Sequence, residues 1–178
     1  MRTEADFAII GGGIVGLSVA HGLLKQGCSV ICIDGSDTDF RASRGNFGLV
    51  WVQGKGIRAP FYAAWTQNAA RIYPDFVSEL SQETGVQINY NQAGGYEYFT
   101  DPHTLSQRMK EYKQLKKALN GDYPYEFLSS SQIRAAEPMI GGETLGASFY
   151  PYDGHLNPLQ LLKALASYCQ KKGLSHYL

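Results

Sequence analysis

Residues 7–34 read FAIIGGGIVGLSVAHGLLKQGCSVICID, and this stretch decides the fold. The apolar run 7–10 predicts a buried parallel strand, and 30–33 predicts a second one. Between them, small and apolar residues follow a glycine-rich turn at helical spacing. The stretch therefore predicts a βαβ unit close to the first residue of the chain.

The glycines of the turn form the pattern G-x-G-x-x-G at the point where strand becomes helix. Gly11 permits a tight turn, Gly13 lets the backbone approach a pyrophosphate, and Gly16 lets helix and strand pack closely. The start of the helix then offers unpaired N–H groups and the positive end of its dipole. We therefore predict a dinucleotide site here, and we include Ile14 and Val15 in it.

An acidic residue, Asp34, ends the second strand. Its carboxylate can accept hydrogen bonds from the adenosine ribose hydroxyls, which disfavours a 2′-phosphate and so argues against NADP. Ala20 and Gly27 lie where a small helix residue and a helix stop are expected. We add Gly35 and Ser36 to the predicted site. The alternative is an ordinary βαβ unit that binds no ligand.

A second candidate segment is FRASRGNFGLVW, residues 40–51. It carries a hydroxyl, a guanidinium and an amide among glycines, which can grip phosphate while the backbone comes close. Arg44 is the predicted partner of a pyrophosphate or a nearby anion. The predicted cofactor contacts in this segment are Ser43, Arg44, Asn46, Gly48 and Leu49.

The composition limits the class of protein. The chain has 178 residues, 44% of them hydrophobic, and a net charge of zero, which suits one sizeable core and gives no reason to expect nucleic acid. We expect no secretory signal, no membrane-spanning segment and reduced cysteines, hence a cytoplasmic protein. Peripheral attachment at the inner face of the membrane stays open. No catalytic residue and no metal site can be assigned.

The rest of the chain predicts a change of sheet type. The predicted elements are one kinked helix or two helices over 58–83, strands at 86–90 and 95–100, a helix begun by Asp101-Pro102, a short helix at 129–137, a strand at 145–150 and a helix begun by Asn157-Pro158. The first two strands are joined by a turn-rich link. We expect them to form an antiparallel pair.

The chain resembles a flavoprotein family. The pattern from Gly11 to Asp34 looks like the FAD fingerprint of glutathione-reductase-type flavoproteins. Several later motifs resemble the D-amino-acid-oxidase-like group, which includes glycine and sarcosine oxidases and D-amino acid dehydrogenases: Ser43 to Gly48, Gly94-Gly95, Glu137-Pro138 and DGHLNP at 153–158. Residues 43–56 are most similar to bacterial dehydrogenase subunits that act on proline-like, hydroxyproline, opine or glycine substrates, among them the hydrogen cyanide synthase flavin subunit.

The resemblance implies an α/β fold, with a Rossmann-like FAD-binding domain interrupted by an α+β substrate domain that contains an antiparallel sheet. The corresponding segments are 1–83 and 153–178 for the FAD domain and 84–152 for part of the substrate domain. Family members continue into a further strand after the last helix. We expect this chain to end at Leu178, before that strand. The chain then looks like an N-terminal half, completed by a missing C-terminal half or by other subunits.

The activity that the resemblance implies is oxidation of the C–N bond of an amino acid or secondary amine, by hydride transfer to FAD. Dehydrogenase and oxidase activities are both compatible with it. Two alternatives stay open. One is an NAD-dependent enzyme, and the other is a noncatalytic, truncated FAD-binding remnant or subunit.

Overall fold

A computed structural model describes residues 4–35 and 41–177. The chain forms two compact units, the first made of Met1–Gly48, Pro74–Tyr90 and Leu156–Leu178, and the second of Leu49–Tyr73 and Asn91–His155. The helices are α1 (Ile14–Lys25), α2 (Pro60–Thr84), α3 (Pro102–Ala118), α4 (Ser130–Ala136) and α5 (Pro158–Lys171). The strands are β1 (Phe7–Ile10), β2 (Val30–Ile33), β3 (Leu49–Val50), β4 (Tyr90–Asn91), β5 (Gly95–Phe99), β6 (Glu126–Ser129), β7 (Gly146–Tyr150), β8 (Gly154–Leu156) and β9 (Ser175–Tyr177).

The first unit contains a parallel sheet in the order β1-β2-β9. Its register pairs Phe7 with Val30 and Ile10 with Ile33. Helices α1 and α5 pack against each other, and the Cys169 thiol of α5 contacts the Leu17 carbonyl of α1. Because side chains alternate between the faces of a strand, every second residue of β2 lies beneath these helices and is buried. The predicted βαβ unit is confirmed.

Strand β9 corrects a prediction. The sequence predicted no strand after α5, but Ser175–Tyr177 form one that pairs in parallel with β2. Gly173, with φ of +92°, ends α5 and lets the chain turn toward the sheet. A strand of three residues is too short to show an alternating pattern in the sequence, so only its pairing reveals it.

The second unit contains an antiparallel sheet in the order β5-β7-β6, which confirms the change of sheet type. Three fully buried tyrosines, Tyr112, Tyr123 and Tyr150, form much of its core. The sequence also predicted the helix starts. Asp101 accepts a hydrogen bond from the Thr104 amide at the start of α3, and Ser129 forms a capping box with Gln132 at the start of α4.

The predicted hairpin of 86–90 with 95–100 is wrong. The first of these segments contributes only β4, which belongs to a separate sheet in the order β3-β8-β4, and β5 pairs with β7 instead. At Gly94, φ is +88°, and a Cβ there would lie 2.3 Å from the Phe149 ring. The turn therefore packs directly onto β7, and this long-range contact overrides the local preference for a hairpin.

Helix α2 decides between the two predicted alternatives for 58–83. It is one continuous helix of 25 residues with Pro74 in its interior. The boundary between the compact units falls at this proline, which places Leu49–Tyr73 in the second unit. Among the described helices, none is long and apolar enough to cross a membrane.

A buried carboxylate organises the second unit. Asp153 is 0% exposed and accepts hydrogen bonds from the Val52 amide (2.5 Å) and from Nε2 of Gln53 (2.7 Å). The same Gln53 side chain donates to the Gly95 carbonyl and accepts from the Ser148 hydroxyl. This network joins the segment after β3 to strands β5 and β7, which lie far from it in the chain.

Titration of Asp153 predicts a pH-dependent stability. Burial raises the pKa of this carboxyl from 3.8 to about 6, against the opposing effect of its hydrogen bonds. Between these two values the folded chain binds more protons than the unfolded chain, so the free energy of unfolding falls as pH rises, by about 3 kcal/mol in total. We expect Asp153→Asn to remove this slope in urea denaturation measured from about pH 4 to pH 7.

The matched control is Asp75→Asn, which removes an exposed carboxylate. It should leave the pH slope unchanged. An unaltered slope in Asp153→Asn would show that another group is responsible for it.

Candidate functional site

The start of α1 lies against the loop predicted to bind phosphate. Gly13 precedes the helix and provides no side-chain cap. Instead, Oγ of Ser43 accepts a hydrogen bond from the Ile14 amide at 3.0 Å. The hydroxyl hydrogen of Ser43 remains able to donate to a phosphate oxygen. Two predicted site segments, separated in the chain, therefore meet at the positive end of a helix dipole.

Two glycines of the turn before α1 leave little room for a side chain. A Cβ at Gly12 would lie 2.8 Å from Oδ2 of Asp34, and a Cβ at Gly13 would lie 3.0 Å from Oγ of Ser43. The turn thus exposes backbone to a ligand that enters between these groups. Gly12 is a member of this cradle that the sequence pattern did not single out.

Asp34 is held as an ionised acceptor at the end of β2. Its carboxylate accepts from the Arg41 guanidinium at 2.6 Å and from the Gly35 amide at 2.9 Å. The hydrogen bond from Arg41 is the main cause that lowers the pKa of Asp34, and the amides of Gly35 and Gly12 add to it. Its own amide donates to the Tyr177 carbonyl of β9. An ionised carboxylate in this position suits ribose hydroxyls, as the sequence predicted.

Two adjoining cavities follow the carboxyl ends of the parallel strands. Their volumes are about 180 and 490 Å³. Both are lined by Gly12, Asp34, Arg44, Leu162 and His176. Ligands of open α/β sheets bind at this end of the strands.

Besides Gly12, three residues that form this site had no role in the sequence prediction. Arg41 is not among the predicted contacts, although an arginine within a few residues of Asp34 was a usable signal. Leu162 and His176 come from α5 and β9, and only the tertiary structure brings them here.

Asn46 organises its own loop. Its Nδ2 donates to the carbonyls of Ala42 and Ser43, and its Oδ1 accepts from the Gly48 amide at 2.8 Å. The Asn46 side chain forms these hydrogen bonds within the loop, so its predicted contact with a cofactor stays a prediction. Gly48 is buried at the end of this loop.

The remaining predicted contacts lie in different places. Val15 is exposed on α1, and Leu49 is exposed in β3 of the second unit. Ser36 lies outside the described residues. In the part of the chain that the structure describes, no group of histidine, cysteine and acidic side chains is arranged to hold a metal ion.

The arrangement combines a helix N-terminus, a backbone cradle, two arginines and an ionised acceptor at the carboxyl ends of parallel strands. Positive groups suit a diphosphate, and the acceptor suits the adjoining ribose. The fold is that of an α/β protein, and the site has the groups with which the dinucleotide-binding class of α/β proteins holds its ligand.

The chain belongs to the family described as FAD dependent oxidoreductase, which matches residues 6–177. An opine oxidase subunit from Rhizobium meliloti is 38% identical over 97% of this chain and 47% of its own length. The crystal structure of glycine oxidase from Bacillus cereus is 29% identical, with a TM-score of 0.82 over 98% of this chain and 46% of that one. Glycine oxidase from Geobacillus kaustophilus, 22% identical, has a TM-score of 0.86 over 97% of this chain and 46% of that one.

These relationships confirm the predicted family and fold class. They also show that the chain spans about half the length of the relatives it matches. The family is FAD-dependent, so the cofactor class agrees with the fingerprint in residues 11–34.

Proposed function

We propose that this chain binds the ADP portion of FAD in an oxidoreductase that acts on the C–N bond of an amino acid or amine. The observation that carries the proposal is the meeting of the α1 N-terminus, Ser43, Arg44 and Asp34 around one site. The relatives named as opine and glycine oxidases support an amine substrate, with opines among the candidates.

The residues have distinct roles in this proposal. The α1 N-terminus and Ser43 hold the diphosphate, and Arg44 neutralises part of its charge. Asp34, kept ionised by Arg41, accepts from the ribose hydroxyls. When bound, the flavin supplies hydride acceptance, while the protein positions it. Since these residues account for the ADP portion alone, we place the flavin and substrate contacts, and the catalytic residues, in the half of the relatives that this chain does not span.

Ligand-dependent thermal unfolding tests this proposal. A ligand that binds the folded chain stabilises it by about 2.7 kcal/mol when its concentration is about 100-fold above its Kd. We expect FAD and ADP to raise the unfolding temperature, with no effect of riboflavin. Protection by NADH without protection by FAD would favour the NAD-dependent alternative, and the absence of protection by any of these ligands would contradict the proposal.

Asp34→Ala should weaken FAD binding by about 10- to 100-fold. The variant removes the ionised acceptor of the ribose hydroxyls, and hydrogen bonds to charged groups contribute about 1.5 to 3 kcal/mol. The affinity can be measured by titrating FAD into the purified chain and following flavin fluorescence. Asp75→Ala, which removes an exposed carboxylate from the same unit, is the control and should bind FAD normally. Equal affinities of the two variants would argue against this role for Asp34.

A further inference from the structure

The second unit contains a polar cavity between the segment that follows β3 and the first half of α3. Its volume is about 340 Å³, which lies in the range of small-molecule sites, about 300 to 1,000 Å³. Its lining includes Gly54 and Arg58 from the segment and Gln107, Arg108 and Glu111 from the helix. None of these residues lines the two cavities at the start of α1, so the proposed FAD site does not account for this cavity.

Arg108 is held in place at one side of the cavity. Its Nη2 lies 3.1 Å from Oε1 of Glu97, its Nε lies 3.5 Å from Oε2 of Glu111, and its guanidinium lies over the Tyr112 ring. The remaining nitrogen, Nη1, faces Gly54, where a Cβ would lie 2.9 Å from it. Nη1 carries two N–H donors, and neither forms a hydrogen bond in the part of the chain that the structure describes. The guanidinium therefore presents two oriented donors beside a position that has no side chain.

Arg58 brings a second guanidinium to the same cavity. It is exposed and forms neither a hydrogen bond nor an ion pair with the described residues. The acidic side chain of the lining is already engaged, because Oε1 of Glu111 accepts from Nε2 of Gln107 at 2.9 Å and Oε2 faces Arg108. The groups left for a ligand are therefore guanidinium donors, and their planar fork matches the two oxygens of a carboxylate.

We propose that this cavity binds a small carboxylate, with Arg58 and Nη1 of Arg108 as its donors. The ion pairs of Arg108 fix its guanidinium before the ligand arrives, which lowers the entropy cost of binding. Gly54 leaves the space beside Nη1 to a carboxylate oxygen. An amino acid and a simple organic acid share this group, so both are candidate ligands. The inference goes beyond the proposed function and does not depend on flavin binding.

Titration of small ligands into the 178-residue chain tests the site. The probes are glycine, propionate and ethylamine, and the readout is the NMR signals of the Gly54 amide and of the arginine side-chain N–H groups. We expect glycine and propionate to shift these signals, with an affinity that falls as salt is added, and ethylamine to have no effect. Tighter binding of glycine than of propionate would identify an amino acid as the ligand. Equal or weaker binding of glycine would identify an organic acid.

Substitution of Arg58 locates the site. Arg58→Gln should weaken carboxylate binding by about 10- to 100-fold, because it removes a charged donor, and Arg58→Lys should retain part of the affinity. Neither variant should change the free energy of unfolding, since Arg58 is exposed and has no partner among the described residues. Lys55→Gln removes an exposed cation of the same segment that does not line the cavity. It is the control and should bind within about twofold of the unaltered chain.

Three results would overturn the proposal. The first is that glycine and propionate leave the Gly54 and arginine signals unchanged. The second is equal affinity of the Arg58→Gln and Lys55→Gln variants for both carboxylates. The third is an equal response to chloride at the same ionic strength, which would show that the two arginines attract any anion. Because FAD titration is a separate measurement, failure of the proposed function would be detected independently of these results.

Discussion

Gly16→Ala is expected to destabilise the first unit by about 3 kcal/mol or more and to abolish FAD binding. A Cβ at this position would lie 1.9 Å from the Gly11 carbonyl oxygen and 3.2 Å from Cγ2 of Ile9. The nearer atom belongs to the backbone, so α1 would have to move away from β1. That movement would displace the helix start from Ser43 and open the proposed diphosphate site.

The control for Gly16→Ala lies in the same helix. At Gly22 a Cβ would meet nothing within 4 Å. Gly22→Ala should therefore stabilise the chain slightly, by up to about 1 kcal/mol, because alanine is the better helix former. Urea denaturation and FAD titration of both variants separate close packing from helix propensity. Similar stabilities would show that α1 and β1 tolerate a wider spacing than the structure has.

Gly48→Ala is expected to cost about 3 kcal/mol or more and to weaken FAD binding through the Ser43–Gly48 loop. Gly48 has φ of +66°, which costs a residue with a Cβ about 1 to 2 kcal/mol. In addition, the Cβ would lie 2.1 Å from the Leu156 carbonyl oxygen and 2.9 Å from Cδ of Pro158. The loop would have to move off β8, and Asn46 would lose its hydrogen bond from the Gly48 amide.

Gly85→Ala separates the cost of a positive φ from the cost of a close contact with neighbouring atoms. Gly85 also has a positive φ, +74°, but a Cβ there would meet nothing within 4 Å. Its cost should be limited to the backbone conformation, about 1 to 2 kcal/mol, and FAD binding should be unaffected. Equal destabilisation by both variants would mean that the close approach of Gly48 to β8 has little energetic weight.

The residues of the candidate site that could be predicted lie close together in the sequence. Gly11, Gly13, Gly16 and Asp34 belong to one βαβ unit, whose apolar runs and glycine spacing are visible over consecutive residues. Two of the site residues that the sequence did not predict come from distant segments. His176 belongs to a strand too short to show a pattern, and Leu162 is one of several apolar residues of an amphipathic helix.

The sequence by itself determined the α/β class, the glycine-rich turn between β1 and α1, and the starts of α3, α4 and α5. Each depends on groups a few residues apart, such as Asn157 accepting from the Leu159 and Gln160 amides. The tertiary structure alone decided the pairing of β5 with β7, the return of β9 to β2 and the contact of Ser43 with α1. These depend on which distant segments can bury one another, and a local pattern does not encode that choice.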